Sequence, residues 1–160
     1  MRVPRLVLMV STLSIYKQMT ALPMGNKAFS YFFAHKAPYF ATVKPDVLVM
    51  EPHLAQVRIP KRKAVLNHIG TVHAIAVCNG LEAAMGLVAE ATVPSTHRWL
   101  PKGMDVEYLA KSDSDIVCTA SSTQADWDGA PDVPITVEAK RADGTVVVQG
   151  VIRLWVTPKN

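Results

Sequence analysis

The chain has 160 residues, of which 49% are hydrophobic and 19% are charged, and its formal net charge is +4. This length and balance favour one globular domain with a sizeable core and argue against a disordered chain. Because the charge is mild and the basic residues are scattered, the composition fits an anionic small ligand better than nucleic acid. Cys78 and Cys118 both fall in apolar segments. We therefore expect buried thiols rather than a disulfide framework, which favours a reducing, cytoplasmic location.

The N-terminus has the outline of a secretory signal, because two basic residues, Arg2 and Arg5, precede the apolar run at 6–10. The run is short, however, and no clear cleavage site follows it. We interpret residues 1–24 as a leader that is poorly ordered or forms a helical extension. Residues 25–160 are then expected to form a single domain.

The segments before residue 60 predict one helix and two strands. Residues 26–36 are rich in aromatic side chains and stop before Pro38, as a helix would. Residues 46–50 form a short apolar strand pattern, followed by a turn. Residues 53–59 then alternate, and the positions that share the apolar face are Ala55, Val57 and Ile59.

The apolar segment 69–89 predicts a long helix, because its hydrophobic residues recur with helical spacing from Ala74 to Val88. It is long enough to span a bilayer. Asn79 and Glu82 would suit a membrane span poorly, so we expect a core helix enclosed by a sheet and no stable membrane insertion.

Glu82 is the only charged side chain between Lys63 and Glu90, with histidine counted as neutral. A carboxylate withdrawn from water without a partner is costly, and it responds by a raised pKa or by finding hydrogen bonds. Glu82 is therefore the first candidate for chemistry. The alternative is a structural carboxylate that is hydrogen-bonded by Asn79 or by the backbone.

The second half of the chain predicts four strands. A polar connection runs from Pro94 through Arg98 and Lys102, and the acidic segment 126–128 is expected to be a surface loop with a partly buried tryptophan. Asp143-Gly144 is a strong hairpin signal. The predicted strands are 104–110, 115–123, 133–141 and 145–156. Antiparallel strands around one central helix indicate an α+β domain.

The segment from Asn67 to Ile75, followed by Glu82, resembles hotdog-fold acyl-CoA thioesterases of the phenylacetate-pathway and 4-hydroxybenzoyl-CoA types. Asn67, Gly70 and His73 stand at the spacing of the family motif, and the family's acidic residue, nine positions after the histidine, is Glu82 here. The resemblance covers about residues 26–157. It implies the hotdog fold, in which a long central helix is wrapped by a curved antiparallel sheet.

The resemblance also implies roles for single residues. Glu82 would attack the thioester or activate water. The backbone N–H of Ala74 would polarise the thioester carbonyl, which suits the free N–H groups and dipole of a helix start. Asn67 would orient the water or the carbonyl, and His73 would shape the loop. The substrate would be an acyl-CoA or acyl-carrier thioester, with coenzyme A as part of the substrate rather than a cofactor, in a homodimer or tetramer.

The chain departs from the family motif at several positions. The family motif has two glycines after its histidine, and these positions are Ala74 and Ile75 here. The family often has Ser or Thr one or four residues after the carboxylate, and these positions are Ala83 and Gly86 here. These departures motivate a second hypothesis, a hotdog protein that binds acyl thioesters without hydrolysing them. A hotdog hydratase is a weaker third hypothesis, because the chain lacks the Asp–His pair which that chemistry uses.

Basic residues near the motif are candidates for binding coenzyme A phosphates. Lys61, Arg62 and Lys63 immediately precede the motif loop, although such a cluster is equally typical of a solvated turn. Lys102 and Lys111 are further candidates. Asn67 has the alternative role of capping the helix. No metal site is expected, because His68 and His73 lack further ligands at zinc-like spacing.

Overall fold

The computed structural model describes residues 10–160, so residues 1–9 of the predicted leader lie outside the described part. The remainder of that leader contains helix α1, Thr12–Thr20, whose start is capped by the Ser11 hydroxyl accepting from the Ser14 N–H. Helix α1 packs on the next helix, and the Tyr16 and Phe29 rings meet edge to face with centroids 5.0 Å apart.

The elements follow the predicted order, with one short helix added. After α1 they are α2 (Gly25–Lys36), β1 (Asp46–Glu51), β2 (Leu54–Ile59), α3 (Ala74–Thr92), β3 (His97–Tyr108), β4 (Ile116–Ser121), α4 (Gln124–Asp128), β5 (Asp132–Arg141) and β6 (Val146–Pro158). Two short 3-10 helices, Pro38–Val43 and Lys63–Val65, join α2 to β1 and lead from β2 toward α3.

The six strands form one antiparallel sheet in the order β1-β2-β4-β5-β6-β3, and α3 lies against it. The core-facing side chains of β2 are the predicted set at 55, 57 and 59, and all are fully buried. Val77, Leu81 and Met85 of α3 are buried as well. The predicted α+β hotdog fold, with a central helix wrapped by a curved sheet, is confirmed.

Helix α3 is long and apolar enough to cross a membrane, and it is the one such helix among residues 10–160. Within its most apolar window, 61% of the residues are buried inside the domain. This burial matches the prediction of a core helix enclosed by a sheet. Both cysteines are buried and free, as the sequence predicted. Burial raises the pKa of the Cys118 thiol, which keeps it uncharged.

Two local predictions were wrong. Residues 97–103, expected in a polar connection, form the first half of β3, one of the two edge strands of the sheet, and most of their side chains are exposed. The acidic segment predicted as a loop belongs to α4. Thr123 and Asp126 form a reciprocal capping box there, and Trp127 is buried with its indole N–H donating to Ser122 Oγ at 2.9 Å.

The predicted hairpin turn at Asp143-Gly144 joins β5 to β6. Gly144 has a φ of +87°, a conformation that glycine adopts without strain. Arg141 Nε donates to both Asp143 carboxylate oxygens at 3.0 Å, and the Thr145 N–H donates to one of them at 2.9 Å. The Arg141 guanidinium, followed by the Thr145 backbone, holds the pKa of Asp143 well below its ordinary value of 3.8.

Replacing Asp143 by asparagine is expected to lower the free energy of unfolding at pH 7. Because the folded pKa is depressed, the stability from the carboxylate is present above the ordinary pKa and is lost as pH falls through the folded pKa. The difference between wild type and Asp143→Asn should therefore narrow below about pH 4. Urea unfolding at pH 7 and at pH 3 measures this difference in stability. Asp105→Asn, which changes another exposed carboxylate, is the control. An equal difference at both pH values would contradict the pairing with Arg141.

Candidate active site

The motif loop is a tight turn built around Asn67. Its Oδ1 accepts from the Ile69 and Thr71 N–H groups, both at 3.1 Å, and its Nδ2 donates to Thr71 Oγ1 at 2.8 Å. The Gly70 N–H donates to the Asn67 carbonyl at 3.2 Å, and Gly70 has a φ of +79°, which explains the glycine. The Asn67 amide is thus engaged in holding the turn, and its expected contact with water or a carbonyl stays a prediction.

The start of α3 is capped by His73 and not by Asn67. His73 Nδ1 accepts from the Ile75 N–H at 3.1 Å, and the His73 N–H donates to the Val65 carbonyl at 2.8 Å. The N–H of Ala74, the first residue of α3, has no acceptor among residues 10–160. Free N–H groups at a helix start attract negative charge, so this N–H can stabilise a developing oxyanion.

Glu82 is less enclosed than its apolar surroundings in the sequence indicate. Its side chain is half-buried, and no described residue forms a hydrogen bond or ion pair with it. The alternative in which Asn79 binds Glu82 is not observed, because Asn79 Nδ2 donates to Thr42 Oγ1 at 3.1 Å. Glu82 is only half-buried because the sheet covers one side of α3, whereas Glu82 lies on another side. Its carboxylate is therefore free to accept a proton or to contact a ligand.

Residues 75, 79, 82 and 86 form a stripe along α3, and a cavity lies beside each half of it. The cavity beside the first half, about 230 Å³, is lined by His73, Ile75 and Asn79 among others. Asn79 is 8% exposed, and its Oδ1 is buried without a donor among the described residues. Helical spacing puts Asn79 on the same face of α3 as Glu82, but Asn79 was not among the predicted site residues.

The second cavity, called here the Trp99 cavity, measures about 170 Å³. Its lining consists of Thr12, Phe33, Lys36, Ala37, Phe40, Gly86, Glu90 and Trp99. Glu82 lies between Asn79 and Gly86 on the stripe and lines neither cavity. Trp99 belongs to the part of β3 that was predicted as a connection, so the sequence offered no signal for this cavity.

A third cavity of about 370 Å³ lies on the other side of the start of α3. Asn67, Ile69, Ala74, Tyr108 and Lys111 line it. The Tyr108 hydroxyl lies 3.7 Å from Cys78 Sγ, and this contact raises the pKa of Tyr108. A larger open groove of about 580 Å³ occupies the outer face of β3, β5 and β6 and contains none of the motif residues.

The candidate phosphate-binding residues do not all lie together in the structure. Lys61 Nζ donates to the Asp113 carbonyl at 2.9 Å, Arg62 donates to the Thr42 carbonyl, and Lys63 is exposed. Lys111 lies in the cavity beside Ala74. Lys102 is far from these groups within one chain, since six residues of strand separate it from Tyr108, about 20 Å. It pairs with Asp132 and lies 4.8 Å from the Trp155 ring centroid.

Comparison with known proteins places this arrangement among hotdog domains. Residues 25–156 match the family described as "Domain of unknown function (DUF4442)". A crystal structure from a genomics programme is 38% identical, covers 92% of this chain and 99% of that chain, and has a TM-score of 0.82. No curated protein matches the chain.

Two further solved structures are less similar in sequence. A protein of unknown function from Pseudomonas aeruginosa, described as a probable thioesterase, is 17% identical, with 86% of this chain and 97% of that chain covered and a TM-score of 0.72. A thioesterase family protein from Silicibacter pomeroyi is 18% identical, covers 81% and 96%, and has a TM-score of 0.68. At these identities the likeness shows a shared fold.

Proposed function

The chain belongs to the DUF4442 family, and from its hotdog fold and the geometry of α3 we propose that it is an acyl-CoA thioesterase. The observation that carries this proposal is that two groups on one helix, the N–H of Ala74 and the carboxylate of Glu82, have no hydrogen-bond partner within the described residues 10–160. The thioesterase descriptions of two solved structures with the same fold support it. Thioester hydrolysis needs one group to stabilise an oxyanion and one to activate a nucleophile.

In the proposed reaction Glu82 accepts a proton from water as the water oxygen bonds to the thioester carbonyl carbon. The carbonyl oxygen becomes an oxyanion, which the Ala74 N–H stabilises. Collapse of this intermediate breaks the carbon–sulfur bond, and the departing thiolate takes up the proton. The products are a carboxylic acid and a free thiol. Direct attack by the Glu82 carboxylate, followed by hydrolysis of the resulting anhydride, gives the same products.

The spacing along α3 supports a reaction site that is shared between two copies of the chain. Ala74 and Glu82 are eight residues apart, so they lie about 12 Å apart along the helix axis. That separation is too large for both to act on one carbonyl. We therefore propose a homodimer, or a tetramer built from two such dimers, in which Ala74 of one copy faces Glu82 of the other. The free edge of β3 and the exposed Leu100 and Tyr108 on it support such an interface.

The basic residues near the start of α3 would bind the phosphates of coenzyme A. Lys111 is the best placed, since it lines the cavity beside Ala74, and Lys61 and Lys63 lie on the segment that leads into the motif loop. An acyl-carrier thioester would present a phosphate through the same pantetheine arm. The two free, buried cysteines are compatible with the reducing cytoplasm, where we place the protein.

Thiol release from a panel of short, medium, long and aromatic acyl-CoAs tests the proposed activity. Catalytic release from at least one member is expected, and release from none by a folded dimer would overturn the proposal. The second candidate is a protein that binds acyl thioesters without hydrolysing them. It is favoured by Ile75, an exposed side chain beside the Ala74 N–H that narrows the approach of a thioester. An acyl-CoA that raises the Tm of the protein but is not hydrolysed would support this second candidate.

A further inference from the structure

The Trp99 cavity lies one helical turn beyond Glu82, on the same stripe of α3. We propose that it receives the apolar part of the acyl group, that this part contains about six carbons, and that Gly86 sets the limit on its size. The assignment rests on the proposed thioesterase function for the orientation of the substrate. To the proposed function it adds the class of acyl group in the substrate and a residue that determines specificity.

The lining of the cavity suits an apolar ligand. Phe33, Phe40 and Trp99 present aromatic rings, and Phe33 and Phe40 are stacked with centroids 5.3 Å apart. The polar groups nearby already have partners. Glu90 accepts from Thr12 Oγ1 and from the Trp99 indole N–H, both at 2.9 Å.

The remaining charge at the cavity is also directed elsewhere. The Lys36 ammonium lies 5.8 Å from the ring centroid of Phe32, a residue outside the lining. The buried side-chain atoms without hydrogen-bond partners among residues 10–160 are Arg62 Nε and Asn79 Oδ1, and neither residue lines this cavity. The lining therefore offers few free polar partners to a bound molecule, which favours an apolar ligand.

The position of the cavity matches the reaction proposed at Glu82. Gly86 follows Glu82 by four residues, so the two lie about 6 Å apart along the helix axis. A thioester carbonyl beside Glu82 would thus have its acyl chain running along α3 toward Gly86. The thiol portion would leave in the opposite direction, toward Asn79.

The size of the cavity defines the acyl group. A dry protein cavity of roughly 150 Å³ accommodates one benzene molecule. The Trp99 cavity, at about 170 Å³, therefore fits a six-carbon chain or a single aromatic ring. Long fatty acyl chains would extend past the rim.

Gly86 forms part of the cavity wall because it has no side chain. A Cβ added there would meet Trp99 at 3.6 Å, an ordinary van der Waals contact, with nothing else within 4 Å. Because Gly86 lines the cavity, a larger side chain at this position is expected to take up part of its volume. Phe40, which is only partly buried, forms another part of the wall, so its removal would enlarge the same space.

The test compares Gly86→Val and Phe40→Ala with wild type. Binding of free coenzyme A and of acetyl-, butanoyl-, hexanoyl- and decanoyl-CoA is measured by calorimetry in proteins that also carry Glu82→Gln, so that the ligand is not consumed. Hydrolysis of the same acyl-CoAs is measured in proteins that retain Glu82. In wild type we expect tightest binding and fastest hydrolysis with hexanoyl-CoA. Gly86→Val should weaken hexanoyl-CoA binding at least about tenfold and leave acetyl-CoA unaffected. Phe40→Ala should shift the preference toward decanoyl-CoA.

The control is Ala91→Val, which adds a β-branched side chain to the same helix outside the cavity. It should leave the chain-length profile unchanged, and circular dichroism and Tm confirm that each variant is folded. If Gly86→Val fails to fold, the shift produced by Phe40→Ala decides the result.

The outcomes separate the two proposals. Chain-length-dependent binding that the variants alter, without hydrolysis by wild type, would keep the cavity assignment and overturn the thioesterase. Hydrolysis with the same chain-length profile in all variants would keep the thioesterase and overturn the cavity assignment. Hexanoyl-CoA that binds no more tightly than coenzyme A would also overturn the assignment. Neither binding nor hydrolysis of any member would overturn both.

Discussion

Replacing Glu82 by glutamine is expected to leave the fold unchanged and to lower the turnover of thioester hydrolysis about 10²- to 10⁴-fold, the usual contribution of a general base. The carboxylate is half-buried and has no hydrogen-bond partner among residues 10–160, so its removal breaks no contact within the described chain. Glutamine has nearly the same shape but cannot accept the proton from water. Initial rates of thiol release with hexanoyl-CoA, together with Tm, measure the effect.

Glu51→Gln is the matched control, because Glu51 is an exposed carboxylate at the end of β1. The turn that follows it contacts the far end of α3, where the His53 N–H donates to Thr92 Oγ1, ten residues beyond Glu82. This variant should retain wild-type turnover. Retained turnover in a well-folded Glu82→Gln protein would remove Glu82 from the mechanism, whatever the substrate.

Ala74→Pro removes the proposed oxyanion donor without removing a side chain that the reaction uses. Proline is favoured at the first residue of a helix, and the extended φ and ψ of His73, −60° and 137°, suit a residue that precedes proline. The variant should therefore fold and lose turnover. Loss of one such donor typically costs 10²- to 10³-fold in rate.

Mixing the two inactive variants tests the two-chain site. If Ala74 of one copy works with Glu82 of the other, a heterodimer contains one intact site and one site that lacks both groups. Random exchange of subunits should then restore about a quarter of wild-type activity, since half of the dimers are mixed and each has one working site of two. No recovery after confirmed exchange of subunits would contradict a site shared between chains.

Much of the fold follows from the periodicity of the sequence. The alternation at Ala55, Val57 and Ile59 and the helical spacing from Ala74 to Val88 identify β2 and α3, because one face of each must be buried. The first half of β3 was not predicted as a strand, because this part of an edge strand does not bury one face. Its side chains are mostly exposed, and its polar residues are equally typical of a connection. Pairing with β6, distant in sequence, makes it a strand.

The site is harder to predict than the fold, since spacing identifies a helix face but not what covers it. Glu82 was expected in an enclosed core, yet its side of α3 is left half open by the sheet. The separation of Lys102 from Lys111 likewise depends on strand length and direction rather than on nearness in sequence. The Trp99 cavity requires α1, α2, α3 and β3 to meet, which no local pattern encodes.

The two buried glycines of α3 provide a stability prediction with an internal control. At Gly80 an added Cβ would lie 2.2 Å from Ile59 Cδ1 and 2.8 Å from Cys118 Sγ, so either these side chains move or α3 shifts away from β2 and β4. At Gly86 the same atom has room. Alanine is preferred to glycine inside a helix by about 1 kcal/mol at either position, so this preference cancels in the comparison.

We expect Gly80→Ala to lower the free energy of unfolding by about 1–3 kcal/mol and Gly86→Ala to leave it unchanged or raise it by up to about 1 kcal/mol. Urea unfolding followed by circular dichroism measures both. Because Gly80 lies two residues before Glu82, an outward shift of α3 should also displace the carboxylate, so turnover should fall in Gly80→Ala. Equal stability of the two variants would show that Ile59 and Cys118 yield to the added methyl group, and that close approach of α3 to the sheet does not fix the position of Glu82.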